Sequence, residues 1–154
     1  MQYGICNLSI VPLRIEPSHK SELISQILYG EHFKILEQRK TWSKIRLAFD
    51  TFEGWIDNEQ YIEILKDDYK VLQNELPKLS SDIVEFVLDE NKELYTIPLG
   101  SSLNGLELLN HTHDGNTVYY KNPKEEIIKT AFIYLNAPYL WGGKTASRAL
   151  LRES

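Results

Sequence analysis

A chain of 154 residues with one cysteine and four histidines has few ways to build a nucleophile or a metal site. Cys6 lies in the strand-like run Gln2-Tyr3-Gly4-Ile5-Cys6, and a lone, apolar-flanked cysteine reads as a small core or edge residue and not as an attacking thiolate. His111-Thr112-His113-Asp114 has the residue types of a metal cluster. It sits beside Gly115 without further ligands at a structured spacing, so it reads as a set of polar turn residues, and no metal is expected. Ser80-Ser81 and Ser101-Ser102 lack a partnered base and also read as turns. No phosphate-binding loop or dinucleotide fingerprint occurs, and no cofactor is expected. The most informative stretch is Pro138-Tyr139-Leu140-Trp141-Gly142-Gly143-Lys144-Thr145, where paired glycines after two large aromatics let backbone pass close to bulky rings. Such a turn positions something, and a short loop and a helix carrying a reactive group should follow. Ala146 to Ser154 supplies neither a cysteine nor a histidine.

The elements that would hold these residues are mostly short strands. In residues 3–64, Phe33 and Ile35 alternate with Lys34, and Ile45, Leu47 and Phe49 alternate with Lys44, Arg46 and Ala48, which turns one face of each strand inward. Tyr29-Gly30-Glu31 and Asp50 to Gly54 read as turns, Trp42 and Trp55 supply large apolar area, and Tyr61-Ile62-Glu63-Ile64 closes a unit the size of a small barrel. Tyr69, Leu72 and Leu76 then fall at helical spacing up to Pro77, which marks a connecting helix over 65–78. A second strand-rich block, 79–121, opens with Val84, Phe86 and Leu88 alternating against Glu85 and Val87, and Asp114-Gly115 is a hairpin signal ahead of Thr117 to Tyr120. Asn122-Pro123 caps a final helix over 124–136, whose apolar face (Ile127, Ile128, Ala131, Phe132, Leu135) needs a partner surface.

The net charge of -5 and pI near 5.4, with scattered lysines and no basic run, argue against nucleic acid or an anionic membrane as partner. No stretch is long and apolar enough to span a bilayer. Met1 to Cys6 has no basic or apolar signal region, and one cysteine fits a reducing compartment, so a cytoplasmic location is expected.

The order Leu13-Arg14-Ile15-Glu16-Pro17-Ser18, Gly30-Glu31, Trp42-Ser43-Lys44-Ile45, Gly54-Trp55-Ile56 resembles a bacterial SH3-like domain, and Ile127 to Thr145 resembles the opening of an NlpC-type cysteine peptidase domain. Together they look like a γ-D-glutamyl-diamino-acid endopeptidase of cell-wall peptides. The resemblance implies a mainly β chain: a first SH3-like barrel (1–64), the connecting helix (65–78), a second, divergent SH3-like barrel (79–121) and the start of a papain-like α+β domain (122–145). A non-matching tail (146–154) follows, from truncation, a frame error or a non-native end.

In that family a cysteine at a helix N-terminus follows the twin glycines, with a histidine far downstream; a lowered thiol pKa and an adjacent imidazole make the attacking thiolate. Neither residue is present at those places in this sequence, so no catalytic residue is assigned and the polypeptide is expected to be inactive. The resemblance further implies three substrate-binding residues. Tyr139 matches the cleft tyrosine. Glu22 and Phe52 match the acidic and aromatic side chains that the first SH3-like domain lends to a peptide with a free amino terminus, although the family pattern has tyrosine at Phe52. The plain alternative is a solvated Glu22 and a core Phe52. The expected role is substrate recognition in a murein-peptide peptidase, with a cell-wall peptide bearing a free N-terminal L-Ala as partner and self-association through the C-terminal helix; the alternative is a tandem SH3-like binding module without chemistry.

Overall fold

A computed structural model describes residues 1–119. The helix expected over 124–136, the peptidase-like stretch to Thr145, the tail and Tyr139 lie outside the described residues.

Seven strands form one antiparallel sheet: β1 (Gln2–Ile5), β2 (Ile10–Arg14), β3 (Leu23–Leu28), β4 (His32–Gln38), β5 (Trp42–Leu47), β6 (Glu53–Asp57) and β7 (Ile62–Ile64), in the order β3-β2-β6-β5-β4-β1-β7. Alternation sets the inner face, as the sequence leads one to expect: Phe33, Ile35, Ile45 and Leu47 are buried together with Val11, Leu13, Ile27 and Ile56. Of the two tryptophans, Trp55 is buried, as expected, and Trp42 is only half-buried. Ser43 and Ile56 take the inward positions, so Trp42 is half-buried outside the apolar cluster and Trp55 lies under the Arg39 guanidinium, 4.5 Å from its ring centre. Phe49 also departs from expectation. β5 ends at Leu47, the alternation does not continue into the turn, and Phe49 is exposed.

Helix α1 (Lys66–Asn74) is shorter than the spacing predicts. Tyr69 and Leu72 are buried, with Tyr69 packed on Tyr3 at 4.4 Å between ring centres, but Leu76 falls past the helix end and is exposed.

The second block holds a three-stranded sheet, β10-β9-β11, and a two-stranded one, β12-β8, from β8 (Lys78–Ser80), β9 (Val84–Leu88), β10 (Leu94–Pro98), β11 (Thr112–His113) and β12 (Thr117–Tyr119); a one-turn helix α2 (Leu106–Leu109) precedes β11. Asp114-Gly115 therefore links strands of different sheets and is not a hairpin turn. Gly115 serves close approach, because a Cβ there would stand 2.6 Å from Glu85 Oε2. The face of β9 is the reverse of the expected one: Glu85 and Val87 point inward, and Val84, Phe86 and Leu88 are exposed. One oxygen of the Glu85 carboxylate, Oε2, meets the buried His113 imidazole, which holds this register against the apolar preference, while Oε1 has no hydrogen-bond partner among the described residues.

Tyr29 fuses the two blocks. It leaves the β3–β4 turn of the first sheet, yet its side chain belongs to the second core with Val87, Ile97 and Leu103. The Ser102 amide donates to the Tyr29 carbonyl at 2.8 Å, and Gly30, at φ +79°, approaches Ser102 so closely that a Cβ would lie 2.8 Å from its carbonyl carbon. Ser80 and Ser101, expected as turn residues, are buried; both hydroxyls donate to the Pro98 carbonyl (2.9 and 2.7 Å), and Ser80 lies within β8.

Candidate functional site

The strands β3 and β6 flank β2 on either side and both run antiparallel to it, so their starting ends lie together at the Arg14 end of β2, where Arg14 pairs with Leu23 and with Trp55. Glu22 precedes β3 and Phe52 precedes β6. The topology thus brings these two expected residues to one end of a three-strand unit. Gly54 makes the approach close, since a Cβ there would meet Ile24 Cδ1 at 2.9 Å and the Arg14 carbonyl oxygen at 2.8 Å. Both side chains are exposed. Phe52, at 52% exposure, is not a core residue, which removes that alternative for it.

Local hydrogen bonds pre-form this end. The Ile15 amide donates to the Glu22 carbonyl (3.0 Å), Arg14 Nη1 donates to the Ser21 carbonyl (2.8 Å), and Ser21 Oγ accepts from the Glu16 amide (3.0 Å) while donating to the Glu16 carbonyl (3.1 Å). The loop over 15–22 is therefore cross-tied at its base, with little backbone entropy left to lose on binding. On the opposite flank the Phe52 carbonyl accepts from the Leu47 amide (2.9 Å), and the Phe52 amide donates to Asp50 Oδ1 (3.2 Å). Thr51 between them takes φ +61°, a left-handed conformation costly for a β-branched residue, so the turn that sets the Phe52 ring is held by these bonds.

His19 belongs to the same loop. Its Nε2 is 3.2 Å from Asp57 Oδ2, and its ring lies 4.7 Å from the Trp42 ring. No spacing in the sequence links residue 19 to residue 42 or 57; only the return of β5 and β6 past the loop does.

The other residues with reactive atoms are occupied structurally. Cys6 is buried, its Sγ donates to the Leu8 carbonyl (3.3 Å), and desolvation pushes its pKa up to about 12, so it holds a proton and is no nucleophile. The histidines expected to be polar turn residues are packed ones. His111 Nδ1 is 2.6 Å from the Tyr29 hydroxyl, its ring stacks on Tyr29 and Tyr95, and burial holds its pKa below the usual value. His113 is consumed by Glu85. No group of three or more metal-ligating side chains occurs among the described residues.

Residues 13–60 match the family model of the bacterial dipeptidyl-peptidase SH3 domain, a span that includes Glu22 and Phe52. The chain is 24% identical over 165 residues to dipeptidyl-peptidase 6 of Lysinibacillus sphaericus; the alignment covers 86% of this chain and 59% of that protein. Its fold matches the crystal structure of an NlpC/P60 family protein from Bacillus cereus ATCC 10987 with a TM-score of 0.71 at 14% identity, over 94% of this chain and 67% of the other. A bacterial SH3 domain thus stands at the N-terminal end of a mainly β chain whose fold neighbour is an NlpC/P60 protein.

Proposed function

We propose that this chain is the substrate-recognition part of a cell-wall peptidase, and that the Arg14 end of β3-β2-β6 holds a murein peptide by its free L-Ala amino terminus. In this reading residues 1–64 and 79–121 are two SH3-like barrels, the second divergent, and 122–145 open the peptidase domain, with Tyr139 beside the ligand. Glu22 meets the ammonium, since a cation drawn out of water needs a paired anion, and Phe52 covers the alanyl methyl. The observation that carries the reading is the convergence of Glu22 and Phe52 on one cross-tied edge inside the matched SH3 span. Within these 154 residues the one thiol is Cys6, buried and protonated, so the chain binds such a peptide without cleaving it.

Titration of the protein with L-Ala-γ-D-Glu-diaminopimelate, followed by amide chemical shifts, tests this. Binding should perturb residues 15–22 and 50–55, fall about tenfold in Glu22→Gln, the loss of one charge-assisted hydrogen bond, and vanish when the peptide amine is acetylated. Equal affinity for the acetylated peptide would overturn the assignment of Glu22, and hydrolysis would overturn the claim of inactivity.

A further inference from the structure

Strand β11 stops at His113, which pairs with Val87, so β9 continues through Phe86, Glu85 and Val84 with no strand beside it on that edge among the described residues. A cavity of about 330 Å³ opens there. Because the edge is open, this one space touches both the inward Glu85 and the outward Phe86. Val84, Leu88 and Leu94 extend its apolar wall, and His113 stands beside Glu85.

The polar end carries a carboxylate whose hydrogen bonding is incomplete. The Glu85 side chain is only 5% exposed; Oε2 meets His113 Nε2, and the buried Oε1 has no hydrogen-bond partner among the described residues. The Gly115 amide donates to His113 Nδ1 (3.4 Å), which places the ring proton on Nε2, where it is given to Glu85. A neutral imidazole thus hydrogen-bonds the carboxylate without cancelling its charge. A buried oxygen left in this state is costly, and a donor bound to it removes the cost. Asp114 adds a second, exposed carboxylate to the lining, and no lysine or arginine among the described residues lines the cavity. A metal ion does not fit, since both imidazole nitrogens are engaged and no group of three or more ligating side chains occurs among the described residues.

We propose that this cavity binds an organic ammonium with an apolar body. Its N–H groups donate to Glu85 Oε1, and its body lies on Val84, Phe86, Leu88 and Leu94, large side chains that are 39 to 61% exposed. A free alkylamine and the lysine side chain of a peptide present the same chemistry. The site lies in the second block and does not rest on the ligand assigned to Glu22.

Amide chemical shifts of the full chain, titrated with n-hexylammonium chloride, with its neutral isostere 1-hexanol and with N-acetyl-lysine methylamide, test the proposal. One or both amines should shift residues 84–88 and 112–115 and leave 15–22 in place; either result upholds the site, and the tighter of the two identifies a free or a peptide-borne source. Affinity should be about tenfold weaker for 1-hexanol and in Glu85→Gln, each of which removes the charge from one side of the contact. Phe86→Ser, which trims only an exposed wall, should weaken binding about threefold and keeps the test open if Glu85→Gln does not fold. Equal affinity for 1-hexanol, unchanged affinity in a folded Glu85→Gln or in Phe86→Ser, or no binding of either amine at millimolar concentration would overturn the proposal. So would shifts at 15–22 in place of those at 84–88 and 112–115, which would assign the amine to the Glu22 edge.

Discussion

Replacing Gly30 by alanine should separate the two cores, and the size of the effect follows from what the added methyl meets. Gly30 has φ +79°, where a Cβ costs about 1 to 2 kcal/mol. The same methyl would overlap the Ser102 peptide, 2.8 Å from its carbonyl carbon and closer still to its oxygen; backbone on the far side must move. That movement strains the Ser102 to Tyr29 hydrogen bond, worth about 1 kcal/mol. It also lifts Tyr29, 1% exposed, out of the cluster with Val87, Ile97 and Leu103, for a further 1 to 2 kcal/mol or so of lost burial. The total is about 3 to 5 kcal/mol, against the roughly 5 to 15 kcal/mol of a typical domain. Gly100 supplies the control. Its φ is +83°, but the nearest atom to an added Cβ is Leu28 Cδ1 at 3.8 Å, an ordinary contact, so Gly100→Ala should cost only the conformational part, about 1 to 2 kcal/mol. Urea unfolding of both variants, monitored by tryptophan fluorescence and far-UV circular dichroism with unchanged slope, measures the difference. A Gly30→Ala variant within about 0.5 kcal/mol of Gly100→Ala, on the scale of ordinary surface substitutions, would refute the idea that this close approach holds the blocks together.

Two further outcomes follow from burial. Cys6, with its pKa raised from 9.0 to about 12, should react with iodoacetamide at pH 8 about a thousandfold more slowly in the native protein than in urea; comparable rates would mean that the thiol reaches solvent. His32 and His111 both have folded pKa values depressed by desolvation, so between those values and the unfolded value near 6.5 the unfolded chain binds more protons and stability falls as pH falls. The stability measured by urea at pH 5.5 should therefore be lower than at pH 7.5, and His32→Gln should flatten part of that slope; an unchanged slope in this variant would place its imidazole in water.

The first sheet was legible because its evidence is local. The alternation through Phe33, Ile35, Ile45 and Leu47 has the period of a strand, and each position faces the core. Legibility failed where a distant residue decides. In β9 the apolar set Val84, Phe86 and Leu88 faces solvent because His113, arriving from β11, meets Glu85 Oε2 on the inner side, and a strand cannot satisfy both sets at once. Tyr29 was read as part of a turn, which it is, but its ring fills the core of the other block. Phe49 kept the alternating pattern in sequence after the strand itself had ended. Glu22 and Phe52 came from the family resemblance alone; that they lie at one end of β3-β2-β6, and that His19 of the loop meets Trp42 of β5, needed the strand order β3-β2-β6-β5.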